Sequence, residues 1–396
     1  MDYSFKGNIA DDMIKMELGG RVDSANADAV KADIFEVADQ APNLPVELDI
    51  ADLEYISSAG LRVLLQLRKS HKKLRVFNVS SEVYEIFDMT GFNQMMDVQK
   101  AYRVVDVEGC EVIGKGANGT IYRIDMDNVV KVYNNADALE DIQNEREVAR
   151  LALVLGIPTA ISYDVVKVGD SYGSVFELLN AKSFSKILAT EPDKMDWCVK
   201  EYTDLLRTIH GTEVPAGKLP DMKKTAVGWA NFVKDHIPEE AGEKLVSLVE
   251  AVPESNMMLH GDYHTGNVEL TGDEVLLIDM DTLAVGDPVF EFGSIFNAFI
   301  GFSEMDSSII EQFQGFSQDV ANEFWHKVLA AYIGSDDEDQ IRAAEDKARI
   351  IGYTRLIRRS IRRGGLEDEQ KRAEIEHWRG ELLELLGRVD SLSIHA

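Results

Sequence analysis

MLHGDYHTGNVELTGDEVLLIDMDT, residues 258–282, is the stretch on which the reading of this chain turns. An apolar approach runs into His260-Gly261-Asp262, and a short polar turn leads through Gly266 to Asn267. A second turn at Thr271-Gly272-Asp273 is followed by another apolar run that ends in Asp279 and Asp281. Two short strands of this kind deliver a carboxylate each to the same end of a sheet. A carboxylate, an amide five residues on and a second carboxylate after a hairpin are the polar groups that phosphoryl transfer needs. One orients a hydroxyl nucleophile, and the others hold the magnesium that bridges nucleotide phosphates. The plain alternative is that these are turn-forming aspartates at hairpin ends.

Working upstream, Glu111-Val112-Ile113-Gly114-Lys115-Gly116-Ala117-Asn118-Gly119-Thr120-Ile121-Tyr122 reads as strand, glycine-rich turn, strand. Gly114, Gly116 and Gly119 stand at G-x-G-x-x-G spacing, which lets backbone amides approach phosphate oxygens. Plain hairpins and dinucleotide-binding turns share that spacing, but the latter are followed at once by a helix. Here a β-branched run leads to Val129-Val130-Lys131-Val132-Tyr133. A lysine inside an apolar strand is costly to bury without an anionic partner. Strand, glycine loop, strand and lysine is the order of a kinase nucleotide site; the alternative is an edge lysine reaching water. Residues 137–155 carry a helical pattern, in which Glu145 is the candidate partner of Lys131 and Glu147 its rival. Strands at 160–168 and 173–178 follow. Glu177-Leu178-Leu179-Asn180 then reads as the crossing between two lobes, whose backbone can hydrogen-bond an adenine.

His260-Gly261-Asp262-Tyr263-His264-Thr265-Gly266-Asn267, with Ile278-Asp279-Met280-Asp281 after it, resembles the aminoglycoside phosphotransferase and choline kinase superfamily over residues 108–300. The resemblance implies that Asp262 is the catalytic base or nucleophile-orienting group and that Asn267 and Asp279 are magnesium ligands. It implies that Lys131, held by Glu145, contacts the phosphates of ATP, that Gly114, Gly116 and Gly119 line the phosphate loop, and that Glu177 and Leu179 border the base. Protein kinases of the usual kind have Arg at the position of Gly261. Tyr263 and Thr265 replace the family's common Leu and Pro, and Glu291 stands where the family usually has Asp.

Between residues 184 and 252 the pattern is helical, and His210 reads as a packed or surface histidine. His264 reads as positional. The chain is again mostly helical as far as residue 389. Arg355, Arg358, Arg359, Arg362 and Arg363 form its one basic cluster, read as internal neutralisation of a very acidic lobe, with binding of an acidic partner as the alternative.

Strands and helices alternate over the first hundred residues, which argues a small α/β sandwich. A hairpin joins residues 3–9 to 15–20, helical patterns cover 25–38, 59–70 and 81–89, and strands are expected at 44–50 and 74–79. Asp49-Ile50-Ala51-Asp52 leads to Ile56-Ser57-Ser58-Ala59-Gly60-Leu61, where either serine suits a helix N-cap. This join, with Phe87-Asp88-Met89-Thr90-Gly91-Phe92, resembles a STAS domain of the anti-sigma-factor-antagonist type over residues 1–103. In that family the serine opening this helix is the regulatory phosphorylation site, and Ser58 falls there. Ser57 and Ala59 replace the family's usual Asp and Ser or Thr on either side.

The chain of 396 residues has a net charge of −29, of which residues 1–103 hold −5 and the remainder −24. Such a field repels nucleic acid and favours cationic partners. Cys110 and Cys198 are the only cysteines, too few and too far apart for a disulfide framework or a zinc site. No apolar run reaches membrane length, and a cytoplasmic protein is expected. The expected fold is an α/β STAS sandwich (1–103) joined to an α+β two-lobed, protein-kinase-like domain (108–396; small lobe about 108–179, large lobe 180–396). The expected activity is ATP- and magnesium-dependent transfer of phosphate to a hydroxyl, the acceptor being a small molecule of cationic type. Phosphorylation of a serine on its own or a partner's STAS domain is one alternative, and nucleotide sensing without catalysis another.

Overall fold

The computed structural model describes residues 3–10, 12–116, 119–135 and 138–394. Two compact units form, residues 1–106 with 165–170, and residues 107–164 with 171–396.

In the first unit, Tyr3–Ala10 and Met13–Val22 make an antiparallel hairpin. Ile14, Met16 and Leu18 alternate into the interior along its second strand, the period of two that a pleated strand imposes. Val46–Asp49 and Leu53–Ile56 each pair with that strand in parallel, and Leu74–Val79 and Asp97–Lys100 extend the sheet in parallel. Parallel neighbours require crossovers. Helices Ala27–Ala38, Ser58–Ser70 and Ser81–Met89 supply them, and bury Val30, Ile34, Leu64, Leu67, Val83 and Phe87 against Val46, Leu48 and Val76. The strand expected over 44–50 forms as Val46–Asp49; Leu53–Ile56 is a further strand that the sequence reading missed, because it buries only its end residues and shows no alternation. The choice between the two serines is also settled. Ser57 is the N-cap, its hydroxyl accepting the Ala59 amide at 3.2 Å. Ser58 is the first helical residue and is exposed. Residues 101–108, expected as a plain junction, contain Arg103–Val104, which pairs in parallel with Val166 and Lys167.

In the second unit, Ser171–Glu177, Asn128–Tyr133, Gly119–Arg123 and Glu111–Lys115 lie side by side in that order, all antiparallel. Helix Leu139–Val154 follows the lysine strand. The quoted stretch builds two small sheets. Val268–Thr271 and Glu274–Leu277 form a hairpin to which Ala181–Ser183 is added, and Met258–Leu259 pairs with Ala284–Val285. Around them pack the helices Met195–His210, Met222–Lys234, Glu239–Glu250, Pro288–Phe296, Gln318–Ile333, Glu338–Arg362 and Glu369–Leu386. Gly286-Asp287-Pro288 starts the most deeply buried of them, with Asp287 capping the Val289 amide at 2.9 Å and proline in the first turn, where its missing N–H costs nothing.

Candidate active site

Lys131 sits at the centre of an antiparallel register, opposite Ser174 on one side and Ile121 on the other. Its ammonium donates to Glu145 at 3.0 and 3.3 Å and to Asp279 Oδ1 at 3.3 Å. The Tyr133 hydroxyl donates to the same Glu145 carboxylate at 2.5 Å. Burial works against the lysine's charge, and Glu145 with Asp279 more than offsets it, so its pKa is raised. Glu147, the rival, is exposed. The partner of Lys131 is therefore Glu145.

Asp262 follows a glycine that no other residue can replace without distortion. Gly261 has φ 83°, and a Cβ there would lie 2.3 Å from the Thr282 carbonyl oxygen. This is the physical reason an arginine is absent from this position. Gly261→Ala is expected to cost about 1 kcal/mol or more, measurable by chemical denaturation of the two proteins side by side.

The loop beyond Gly261 is tied down at several points. The Tyr263 hydroxyl donates to the Tyr202 carbonyl at 2.8 Å, and the Tyr202 hydroxyl returns the bond to the Tyr263 carbonyl at 2.9 Å. Thr265 and Ser185 both donate to Gln314 Oε1, at 2.8 and 2.7 Å. Tyr263 and Thr265 thus keep the packing expected of apolar residues and satisfy their polar ends as burial requires. His264 is buried, accepts the Gly266 amide on Nδ1 at 3.1 Å, and turns Nε2 to within 3.8 Å of Asp262 Oδ2. Burial, opposed by Asp262 and reinforced by His260, holds its pKa below the ordinary value. A neutral ring that accepts on Nδ1 carries its proton on Nε2, facing the carboxylate.

Asn267 is buried, and its amide nitrogen donates to the Asp262 carbonyl at 3.0 Å. Asp279 is one of three non-glycine residues with positive φ among the described residues, at 61°, a conformation that aspartate tolerates better than most. Asp281 is pushed up to about 6 by burial and by the neighbouring Asp279 and Glu145 carboxylates. Glu145 and Asp279 thus share Lys131, and Asp281 lies close enough to feel Asp279, Glu145, Lys131 and Asp262.

Residues 109–323 match the model of the phosphotransferase enzyme family, APH. The chain belongs to this family. Residues 6–106 match the STAS domain. Over 92 residues the chain is 38% identical to a protein described as an anti-sigma factor antagonist, BtrV, of Bordetella bronchiseptica, covering 22% of this chain and 78% of that protein. It is 28% identical over 89 residues to the anti-sigma-B factor antagonist of Bacillus subtilis, covering 22% of this chain and 80% of that protein. Among solved structures, aminoglycoside phosphotransferase APH(2'')-Ib with ADP bound has a TM-score of 0.49 at 15% identity, over 77% of this chain and 99% of that one. A choline/ethanolamine kinase family protein from Mesorhizobium loti has a TM-score of 0.45 at 14% identity, over 72% and 89%. Likeness at that level adds nothing to the family match.

The remaining candidates of this phosphotransferase are less closely gathered. Gly114 and Gly116 leave ordinary space beside them. Ala117 and Asn118, the tip of the glycine loop, lie outside the described residues. Gly119 corrects one expectation: it belongs to a strand, and a Cβ there would sit 2.4 Å from the Val132 carbonyl oxygen. Close strand packing therefore accounts for this third glycine. Glu177 ends its strand exposed, Leu179 is half-buried, and the Leu178 amide between them is committed to the Asp127 carbonyl at 2.6 Å.

Sequence reasoning passed over the group that holds the catalytic loop from behind. Glu291 is 1% exposed and accepts the amides of both His260 and Gly261, the latter at 3.0 and 3.2 Å. His210 lies behind it, with Nε2 at 3.9 Å from Glu291 and Nδ1 bonded to the Tyr332 hydroxyl at 2.8 Å. The signal available in sequence was the departure at Glu291 itself.

Proposed function

We propose that this phosphotransferase moves the γ-phosphate of ATP to a hydroxyl acceptor, with the STAS domain as a regulatory module. The observation that carries this reading is the convergence of Asp262, Asn267 and Asp279 with the Lys131–Glu145 pair. Asp262 orients the acceptor hydroxyl and takes its proton, the acceptor oxygen bonds to the γ-phosphorus, and the bond to the β–γ bridging oxygen breaks to release ADP. Lys131 meets the phosphates, held in place by Glu145, while Gly114 and Gly116 line the phosphate loop and the backbone at Glu177 and Leu179 borders the base. The residues suit magnesium. Asp279 carries a carboxylate beside Asp281 that Lys131 only partly offsets, and Asn267, whose amide nitrogen is committed to the Asp262 carbonyl, keeps its oxygen for a cation. Asn267 and Asp279 are the proposed ligands. When bound, the metal neutralises charge on the phosphates.

Lys131→Ala is expected to weaken ATP binding by about 10- to 100-fold, the range for losing a charged hydrogen-bonding partner, and to lower turnover as well. Equilibrium ATP titration and steady-state kinetics separate the two effects.

A second reading has one observation in its favour. Ser57 performs the capping, so the exposed Ser58 hydroxyl is left at a helix N-terminus, where phosphate is electrostatically welcome. The test is incubation with labelled ATP, magnesium and a panel of hydroxyl compounds, followed by mass spectrometry of the protein and the acceptors. Label on an added compound supports the small-molecule reading, and label on Ser58 the self-directed one. ATP binding without turnover on any acceptor would leave nucleotide sensing as the function and overturn both.

A further inference from the structure

The arginine cluster makes no direct ion pair with the acidic lobe among the described residues. Among the described residues, no carboxylate lies within ion-pair distance of Arg355, Arg358, Arg359, Arg362 or Arg363, although the chain holds 70 Asp and Glu against 41 Lys and Arg. Arg355, Arg359 and Arg363 are spaced by four, so they file along one side of helix Glu338–Arg362 and its C-cap. At 1.5 Å per residue the file is about 12 Å long.

The inner end of that file is the catalytic loop. Arg355 Nη1 donates to the Ser294 hydroxyl at 2.7 Å and lies 3.4 Å from the Gly261 carbonyl, to which Ser294 also donates at 2.9 Å. The Arg355 guanidinium rests over the Trp229 ring at 5.7 Å, and that of Arg359 over Phe302 at 5.2 Å. Burial and repulsion from Arg363 and Arg355 press the Arg359 pKa down, while Asp262 pulls it the other way. Arg358 is pressed down by burial and by Arg362. The helix dipole favours cations in its last turn, which accounts for Arg359 and Arg362 there and for Arg363 at the C-cap. It does not account for Arg355, two turns earlier, nor for a file that begins beside Asp262.

We infer that the acceptor is a small hydroxyl compound bearing phosphate or carboxylate groups, and that Arg359 and Arg363 bind its negative charge while Asp262 faces its hydroxyl. This replaces the cationic acceptor expected from net charge and from the family resemblance: the field of the whole chain is negative, but the arginine file puts positive charge on one side of the Asp262 loop. Arg355 is a positioning residue, engaged with Gly261 and Ser294. Arg359 and Arg363 determine specificity. The inference rests on the phosphotransferase reading above.

The test uses the full-length protein and two matched sets of acceptors, anionic alcohols such as glycerol 3-phosphate and simple sugar phosphates, and cationic ones such as choline and amino sugars. Binding is followed by calorimetry and turnover by ADP release, in wild type, Arg359→Gln, Arg359→Lys and Arg363→Gln. Members of the anionic set are expected to bind and turn over. Arg359→Gln is expected to raise their KM by about 10- to 100-fold with the KM for ATP unchanged, and Arg359→Lys to recover part of the loss. The inference is overturned if no anionic compound binds wild type more tightly than Arg359→Gln, or if cationic compounds are the better substrates and the arginine variants leave them unaffected. Loss of the phosphotransferase reading is seen separately, as failure of wild type to bind ATP or to release ADP with any acceptor of either set.

Discussion

Asp262→Asn is expected to lower turnover by about 10²- to 10⁴-fold, the usual contribution of a positioned proton acceptor, with ATP affinity close to that of wild type. The substitution keeps the side chain's size and removes only its charge and basicity. The loop has no need of the carboxylate for its shape. Tyr202 and Tyr263 exchange bonds on one side, Gln314 holds Thr265 on another, and Asn267 bonds to the Asp262 backbone carbonyl rather than to its side chain. Lys131 and Glu145, the proposed nucleotide contacts, remain paired with each other. Turnover measured against ADP release, beside an equilibrium ATP titration, gives both numbers. Undiminished turnover would remove Asp262 from the mechanism.

Glu291→Ala is expected to be the most destabilising substitution in the site. It would leave the buried amides of His260 and Gly261 without acceptors, at about 1–3 kcal/mol for each. Glu291→Gln keeps one acceptor oxygen and should lose less. Burial pushes the Glu291 carboxyl up, but His210, His260 and the His260 amide outweigh it and hold the pKa below the ordinary 4.5. A carboxyl depressed by folding stabilises fully above its unfolded pKa, and that stability is lost as pH falls through the folded value. The stability gap between wild type and Glu291→Gln should therefore be at its full size near pH 7 and narrow as the pH falls below about 4.5. Denaturant titrations at a series of pH values measure it. A gap that widened in acid would mean that Glu291 is buried as the neutral acid.

Local order was the part most readable in sequence. The alternation of Ile14, Met16 and Leu18, the Asp287-Pro288 helix start and the lysine inside the Asn128–Tyr133 strand each depend on neighbours a few residues away. Short strands were missed where burial comes from packing: Leu53–Ile56 buries only its two ends, and Asp97–Lys100 alternates only between exposed and half-buried, with one apolar residue. Gly119 matched a phosphate-loop spacing yet is explained by the Val132 carbonyl against which it packs. The spacing said nothing about which atom would stand opposite.

What the sequence by itself determined was the order of the chemical groups: glycine loop, lysine, helix glutamate, aspartate, asparagine, aspartate, after an α/β domain with serines opening a helix. That order is a local property, legible because each turn and strand at 258–282 is set by near neighbours; the expected single sheet is two, since the strands before Asp262 and Asp279 pair with different partners. Only the tertiary structure chose Glu145 over Glu147, placed Glu291 under the His260 and Gly261 amides, and set Arg355 and Arg359 beside Asp262. Each of those contacts joins positions from 14 to nearly 100 residues apart, and electrostatic energy depends on distance in space rather than along the chain. For the same reason a chain of charge −29 holds a row of arginines that starts at the Gly261 carbonyl.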